Sequence, residues 1–223
     1  MPKQNPKSAN KLIAGVVVSC LVSLVLLIVR ISASDSARYI FLVWNLVLAV
    51  IPVFLAWWLV GRVRQFGWLG WKELLLSAVW VSFLPNSFYL VTDFVHLRTT
   101  NEASLFFDVV MLASFVVNGL MLGYIAVYLV HKELVRRFSE ANSYKIVAII
   151  FLLCSFATYL GRFTRWNTWD ILLQPAGLIF DVSDRVINPG QHAETYLATG
   201  ILFVFLSSIY VVIWEASRLV KQP

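Results

Sequence analysis

The chain is short of charge, of cysteine and of long polar stretches. Asp, Glu, Lys and Arg make up 13% of its 223 residues, about half the soluble norm of roughly 25%. Hydrophobic residues make up 60% and the mean hydropathy is +0.78. Too little polar side chain remains to cover a water-facing surface, which excludes a soluble globular domain as well as a disordered chain or a collagen. The two cysteines, Cys20 and Cys154, each lie inside an apolar run. They read as small buried hydrophobes, so a disulfide scaffold is excluded too. HExxH, GxSxG and P-loop motifs are missing. The apolar runs are continuous rather than alternating, which excludes a strand barrel.

What is present is an all-α polytopic membrane protein. Six apolar segments, at about 12–29, 39–60, 74–92, 109–130, 146–166 and 195–214, predict six spanning helices, each near the roughly 20 residues a bilayer requires. The fifth reaches that length only if it continues past residues 146–161 through Arg162. Ser32-Ala33-Ser34 has the small residues of a cleavage site, but the 18 apolar residues at 12–29 exceed a signal core of about 7–15, so the first segment is predicted to stay. Lys and Arg are distributed unevenly. Twelve fall on the side holding both termini and the loops with Arg62, Arg64, Lys72, Lys132, Arg136, Arg137 and Lys145. The other side has six: Arg30, Arg38, Arg98, Arg162, Arg165 and Arg185. It also holds most of the acids, among them Asp35, Asp93, Glu102, Asp108 and Asp170. The positive-inside rule then puts both termini in the cytoplasm. A single domain, 12–216, is expected between cytoplasmic tails at 1–11 and 217–223. The net charge of +6 is a basic membrane face and no sign of nucleic acid. The connection at 162–194 mixes Leu172, Leu173, Ile179 and Phe180 with Asp170 and Asp181, which predicts a helix lying in the outer interface.

One constellation on the outer side is unusually polar. In the third segment Pro85 removes a backbone donor and frees a carbonyl one turn back, and Asn86 and Ser87 stand ready to satisfy freed groups. Either a locally repaired kink or a broken helix lining a cavity fits. Asp93 and His96, three apart, share a face if the helix persists, giving an acid–base pair or half a metal site. Asp108 opens the fourth segment, where the helix dipole favours a carboxylate. Arg162 and Arg165 would share a face as two guanidinium forks suited to phosphate or carboxylate, or would snorkel to headgroups beside Trp. Asn167 followed by Asp170 resembles a capping box, and Trp169 lies between them. Asn45 and Asn118 read as single interhelical hydrogen bonders. A charge at the depth of Arg162 needs a partner, which predicts pairing of Arg162 or Arg165 with Asp93 or Asp108, with His96 close by.

The stretch Phe83-Leu84-Pro85-Asn86-Ser87-Phe88-Tyr89-Leu90-Val91-Thr92-Asp93 with His96-Leu97 resembles the signature of the DUF1361 family. So do Tyr159-Leu160-Gly161-Arg162-Phe163-Thr164-Arg165-Trp166-Asn167-Thr168-Trp169-Asp170, Trp44-Asn45-Leu46 and Phe107-Asp108. The likeness covers roughly residues 40–215. Thr168 stands where the family usually has Ser, and the hydroxyl is kept. The resemblance implies a multi-pass protein of the bacterial cytoplasmic membrane and implies no activity.

Three functions are open. The least demanding is a non-catalytic envelope, assembly or regulatory component. A small transporter or solute-binding protein would use the broken third helix and the Arg pair. An outer-leaflet enzyme would hold a phosphate or carboxylate headgroup on Arg162 and Arg165, use Asp93 and His96 as base or metal ligands, and orient them with Asp108. The partner classes are the lipid bilayer, an anionic headgroup or small solute, and a protein partner or second copy. The sequence names no cofactor.

Overall fold

The computed structural model describes residues 6–34, 36–97 and 102–219. Lys3, Asp35, Arg98 and Lys221, and the side chains of Lys7 and Glu102, lie outside the described residues. Among those described, all regular structure is helical: α1 Pro6–Ser34, α2 Phe41–Phe66, α3 Trp71–Phe83, α4 Pro85–Tyr89, a 3₁₀ helix Leu90–His96, α5 Glu102–Leu134, α6 Glu140–Tyr159, a π turn Leu160–Thr164, α7 Asp170–Leu173, α8 Pro175–Ile187 and α9 Ala193–Leu219. Six helical segments are long and apolar enough to cross a membrane, with α3, α4 and the 3₁₀ helix counting as one (Trp71–His96). Short connections alternate their direction. One end, here the Arg162 end, gathers Arg30, Asp93, Asp108, Arg162 and α7–α8, and the opposite Glu133 end gathers Arg62, Glu73, Glu133 and Arg218.

The fifth span is longer than the apolar run suggests and runs from Glu140 to Thr164. The Ser139 hydroxyl accepts the Asn142 N–H at 3.3 Å and Glu140 occupies the first turn. These caps pull Tyr144 and Lys145 into the helix. At the other end the helix stops at Thr164, short of Trp166, because Arg165 turns left-handed (φ 62°).

Two clusters of buried side chains form the core. One, around Trp80, Phe88, Phe151 and Tyr210, joins α2, α3, α4, α5, α6 and α9. The other, around Leu42, Met111 and Phe115, joins α1, α2 and α5. The outward residues are Val, Ile, Leu, Phe and Trp, as lipid contact requires. α4 lies against two glycines of α5. A Cβ at Gly119 would stand 2.5 Å from the Ser87 carbonyl oxygen, and one at Gly123 would stand 2.6 Å from the Phe88 ring. This GxxxG spacing is the small-residue contact by which membrane helices bring backbones together.

The third span is broken at Pro85, and side chains cap two carbonyls just before the break. Pro85 ends α3 at Phe83. The Asn86 amide then donates to the Phe83 carbonyl at 2.9 Å, and the Thr168 hydroxyl donates to the Ser82 carbonyl at 3.3 Å. Asn86 also donates to Thr168 at 3.0 Å, which ties the break to the 162–194 connection. In that connection α8 buries Arg185 and turns Ile179, Phe180, Val186 and Ile187 outward. The Asn188-Pro189-Gly190 turn follows before α9.

Candidate functional site

Beyond the Pro85 break the chain tightens into a 3₁₀ helix. With three residues per turn, positions i and i+3 eclipse, so Asp93 stands directly below His96. α6 ends in a π turn, a widening often found at functional sites, and it presents Arg162 to that face.

Every nitrogen of the Arg162 guanidinium is engaged. Nε donates to Thr92 Oγ1 at 2.7 Å, Nη1 donates to His96 Nε2 at 2.8 Å, and Nη2 donates to Asp93 Oδ1. The plane lies 4.3 Å from the centre of the Tyr89 ring, a cation–π distance. Asp93 is 1% exposed, and its second oxygen accepts from Asn45 Nδ2 at 2.9 Å. The His96 carbonyl accepts from Arg38, and Phe41 packs on the imidazole with ring centroids 4.8 Å apart. The expected Arg–Asp pair is therefore present, as Arg162–Asp93 with His96 beside it.

Asp108 is elsewhere, which corrects its assignment to Asp93 and His96. It forms a bidentate pair with Arg30, through Arg30 Nε and, at 3.2 Å, Nη2. It also accepts the Tyr39 hydroxyl at 3.0 Å. The cause is that α1 runs on to Ser34, which brings Arg30 down beside the start of α5. Tyr39 lies outside the spans. Burial, then its bond to Asp108, holds its phenol above the ordinary range.

Arg165 differs from both. It is the only non-glycine residue among those described with positive φ, and no acid contacts its guanidinium among the described residues. Together with Tyr89, Val95, His96, Gly161, Arg162 and Asn167 it lines an open pocket of ≈ 450 Å³. Asn167 and Asp170 form half of the capping box. Asp170 accepts the Asn167 N–H at 2.7 Å and its Nδ2 at 3.3 Å. Of these candidates Asn167 lines the pocket, and Pro85, Asn86, Asp170 and Trp169, the last 40% exposed at the start of α7, do not.

The metal-site reading finds no support in this geometry. Asp93 and the His96 Nε2 lone pair are both committed to a guanidinium, whose charge opposes a second cation. Among the described residues no group of three or more His, Cys, Asp or Glu side chains gathers as a metal site would require.

Asn45 is the interhelical hydrogen bonder expected, with Asp93 as its partner; sequence reasoning missed Thr92 and Tyr89 as partners, and it missed Arg185. Arg185 lies buried between α8 and α9, bound to Asp181 at 3.0 Å, His192 Nδ1 at 3.0 Å and Thr195 at 3.3 Å. Trp166 Nε1 donates to Asp181 at 2.8 Å, which connects the pocket rim to α8. Asp184 accepts from Asn188 and His192, and these bonds hold its carboxyl below the usual range.

The profile described as protein of unknown function (DUF1361) matches residues 44–212. The chain belongs to the DUF1361 family. No curated protein and no solved structure matches it. The match takes in every DUF1361 residue lining the pocket and leaves Arg30 and Tyr39, the partners of Asp108, outside its bounds.

Proposed function

We propose that this protein is a non-catalytic membrane component that binds an anionic group, phosphate or carboxylate, in the pocket between the 3₁₀ helix and the end of α6. The observation that carries the reading is Arg165. It is a cation without an acid partner among the described residues, held in a disfavoured backbone conformation, on the wall of a pocket beside a second, fixed arginine. Disfavoured backbone at a concave polar site points to function, and paired guanidinium forks suit oxyanions. Catalysis is the weaker reading because Asp93 and His96 spend their acceptors on Arg162 and Asn45. A base needs a free lone pair within reach of its substrate. Nothing in the geometry favours transport.

The proposed placement is the one the charge asymmetry supports. Residues 12–216 form one six-helix domain, both tails face the cytoplasm and the pocket faces outward, in the bacterial cytoplasmic membrane. A protein partner or a second copy remains compatible with this reading.

The test is anion retention by the purified protein in zwitterionic nanodiscs. The panel comprises phosphatidylglycerol, phosphatidic acid, inorganic phosphate and acetate. Arg165→Gly is the informative variant, since glycine tolerates φ near 62° and the fold should survive. At least one anion should bind the wild type and lose affinity about tenfold in Arg165→Gly, the scale of one charge-assisted contact. Equal retention by both proteins across the panel would overturn the reading.

A further inference from the structure

We infer that the Arg165 pocket selects a group bearing one negative charge and that this group is the phosphodiester of a membrane lipid headgroup. The inference rests on the anion-binding reading above. The local charge decides the number. Arg162 is cancelled by Asp93, its ion-pair partner. The Arg162 N–H reaches His96 Nε2 at 2.8 Å. A guanidinium has donors and no acceptor, so that ring nitrogen keeps a lone pair, its proton is on Nδ1, and the imidazole is uncharged. Tyr89, Gly161, Val95 and Asn167, the remaining lining residues, are neutral. Arg38 also carries a positive charge, but it is exposed to solvent, which screens it, and does not line the pocket. Among the described lining residues, Arg165 alone is left over. One counter-charge completes the pocket. A phosphate monoester carries about two charges near neutral pH, and the second would enter a partly desolvated site without a partner.

Geometry supplies the oxygens' partners. Three of the five Arg162 N–H groups are used, by Thr92, His96 and Asp93. One hydrogen remains on each terminal nitrogen, and the whole Arg165 fork adds to them. Two forks match the two unesterified oxygens of a phosphodiester, and the ≈ 450 Å³ pocket leaves room for the ester substituents.

The surroundings point to a lipid as the source. The pocket lies where two spanning segments, Trp71–His96 and Glu140–Thr164, come to an end. Val95 on its wall is 63% exposed, and Phe163, between the two arginines, is 62% exposed. Leu172 and Leu173 of α7 also face outward. Apolar outward residues beside a polar hollow at a helix end are the surroundings of a headgroup with its chains packed alongside. A free anion makes no use of them.

The experiment measures competitive retention at about pH 9, where the monoester is doubly charged. Native mass spectrometry follows chain-matched phosphatidylglycerol, phosphatidic acid and the soluble diester glycerophosphoglycerol. Wild type should retain phosphatidylglycerol about tenfold over each of the other two. Arg165→Gly should abolish that difference, and Arg165→Lys, with the same charge, should keep the order at lower affinity. If phosphatidic acid is held equally or better through Arg165, the single-charge inference fails while the anion site stands. Equal binding of the soluble diester overturns the lipid assignment. If no anion depends on Arg165, both fall together.

Discussion

Of the arginine–aspartate pairs at this end of the bundle, the two that join spanning segments have different surroundings. Arg30–Asp108 joins the end of α1 to the start of α5, with the Tyr39 hydroxyl completing the carboxylate. Arg162–Asp93 joins the end of α6 to the 3₁₀ helix, with Thr92, His96 and Asn45 as further partners and Tyr89 under the guanidinium. The first pair holds two helices together and has no part in the pocket wall. The second opens onto a pocket in which Arg165 has no acid partner among the described residues. A buried ion pair is thus not in itself a sign of a site. The sign here is the charge left over once the pair is complete.

Breaking the second pair should have the largest effect. Arg162→Met strands Asp93, 1% exposed, with Asn45 as its remaining described partner. Removal of one member of a buried pair costs about 3–5 kcal/mol. Thermal unfolding in detergent should show that loss. The double variant Arg162→Met/Asp93→Asn should recover a large part of it, because no uncompensated charge is left. Strictly additive losses would mean that the pair is uncoupled.

Much of this end was legible in the sequence, and what was not has physical reasons. The six spans follow from uninterrupted apolar length, which the bilayer imposes directly. The Arg162–Asp93 pair follows from a fifth apolar run too short to span unless Arg162 is drawn inward. Asp108 was misassigned because Arg30, placed just after 18 apolar residues, has the pattern of a snorkelling end residue, and nothing local says that α1 continues to Ser34. Asn45 and Thr92 are single polar residues in apolar runs, and composition does not name the partner of such a residue. Arg185 was hidden by a connection whose burial depends on how α8 folds back onto α9. The Gly119-Leu-Met-Leu-Gly123 spacing was a readable signal for close packing, though not for which helix comes close.

Gly119→Ala should separate the two pairs. Its methyl would meet the Ser87 carbonyl oxygen at 2.5 Å, and Ser87 has little freedom to move because its hydroxyl is bound to the Ala49 carbonyl at 2.8 Å. Overpacking of this kind costs about 1–3 kcal/mol. It displaces α4 and the 3₁₀ helix that carries Asp93, and leaves α1 and the Arg30–Asp108 contact in place. Hydrogen exchange should rise at residues 85–97 and stay unchanged at 24–34. Equal rises in both stretches would show the two pairs to be one cooperative unit.

Arg30→Met should cost less than Arg162→Met, about 1–3 kcal/mol. The Arg30 side chain is 17% exposed against 10% for Arg162, and Asp108 keeps the Tyr39 hydroxyl. Anion retention should be unchanged, since Arg30 does not line the pocket. Reduced retention at unchanged stability would show that the first pair also serves the site.

The smallest effect should come from Tyr39→Phe, which removes one hydrogen bond, leaves Asp108 its Arg30 partner and costs about 0.5–1.5 kcal/mol. Its pH dependence has a definite sign. Burial first, and the bond to Asp108 second, raise the folded-state pKa of Tyr39. A raised pKa means that the folded protein favours the protonated phenol. The stabilisation is therefore complete below the unfolded value of about 10 and is lost as pH rises through the higher folded value. Wild type and Tyr39→Phe should differ by a constant amount from about pH 7 to 9, and the difference should shrink as pH climbs past 10. Other tyrosines and lysines titrate there too, but they cancel in the difference. A gap that stays constant or widens above pH 10 would mean that the Tyr39 hydroxyl does not stabilise Asp108. The Arg30 pair would then stand on its two charges alone.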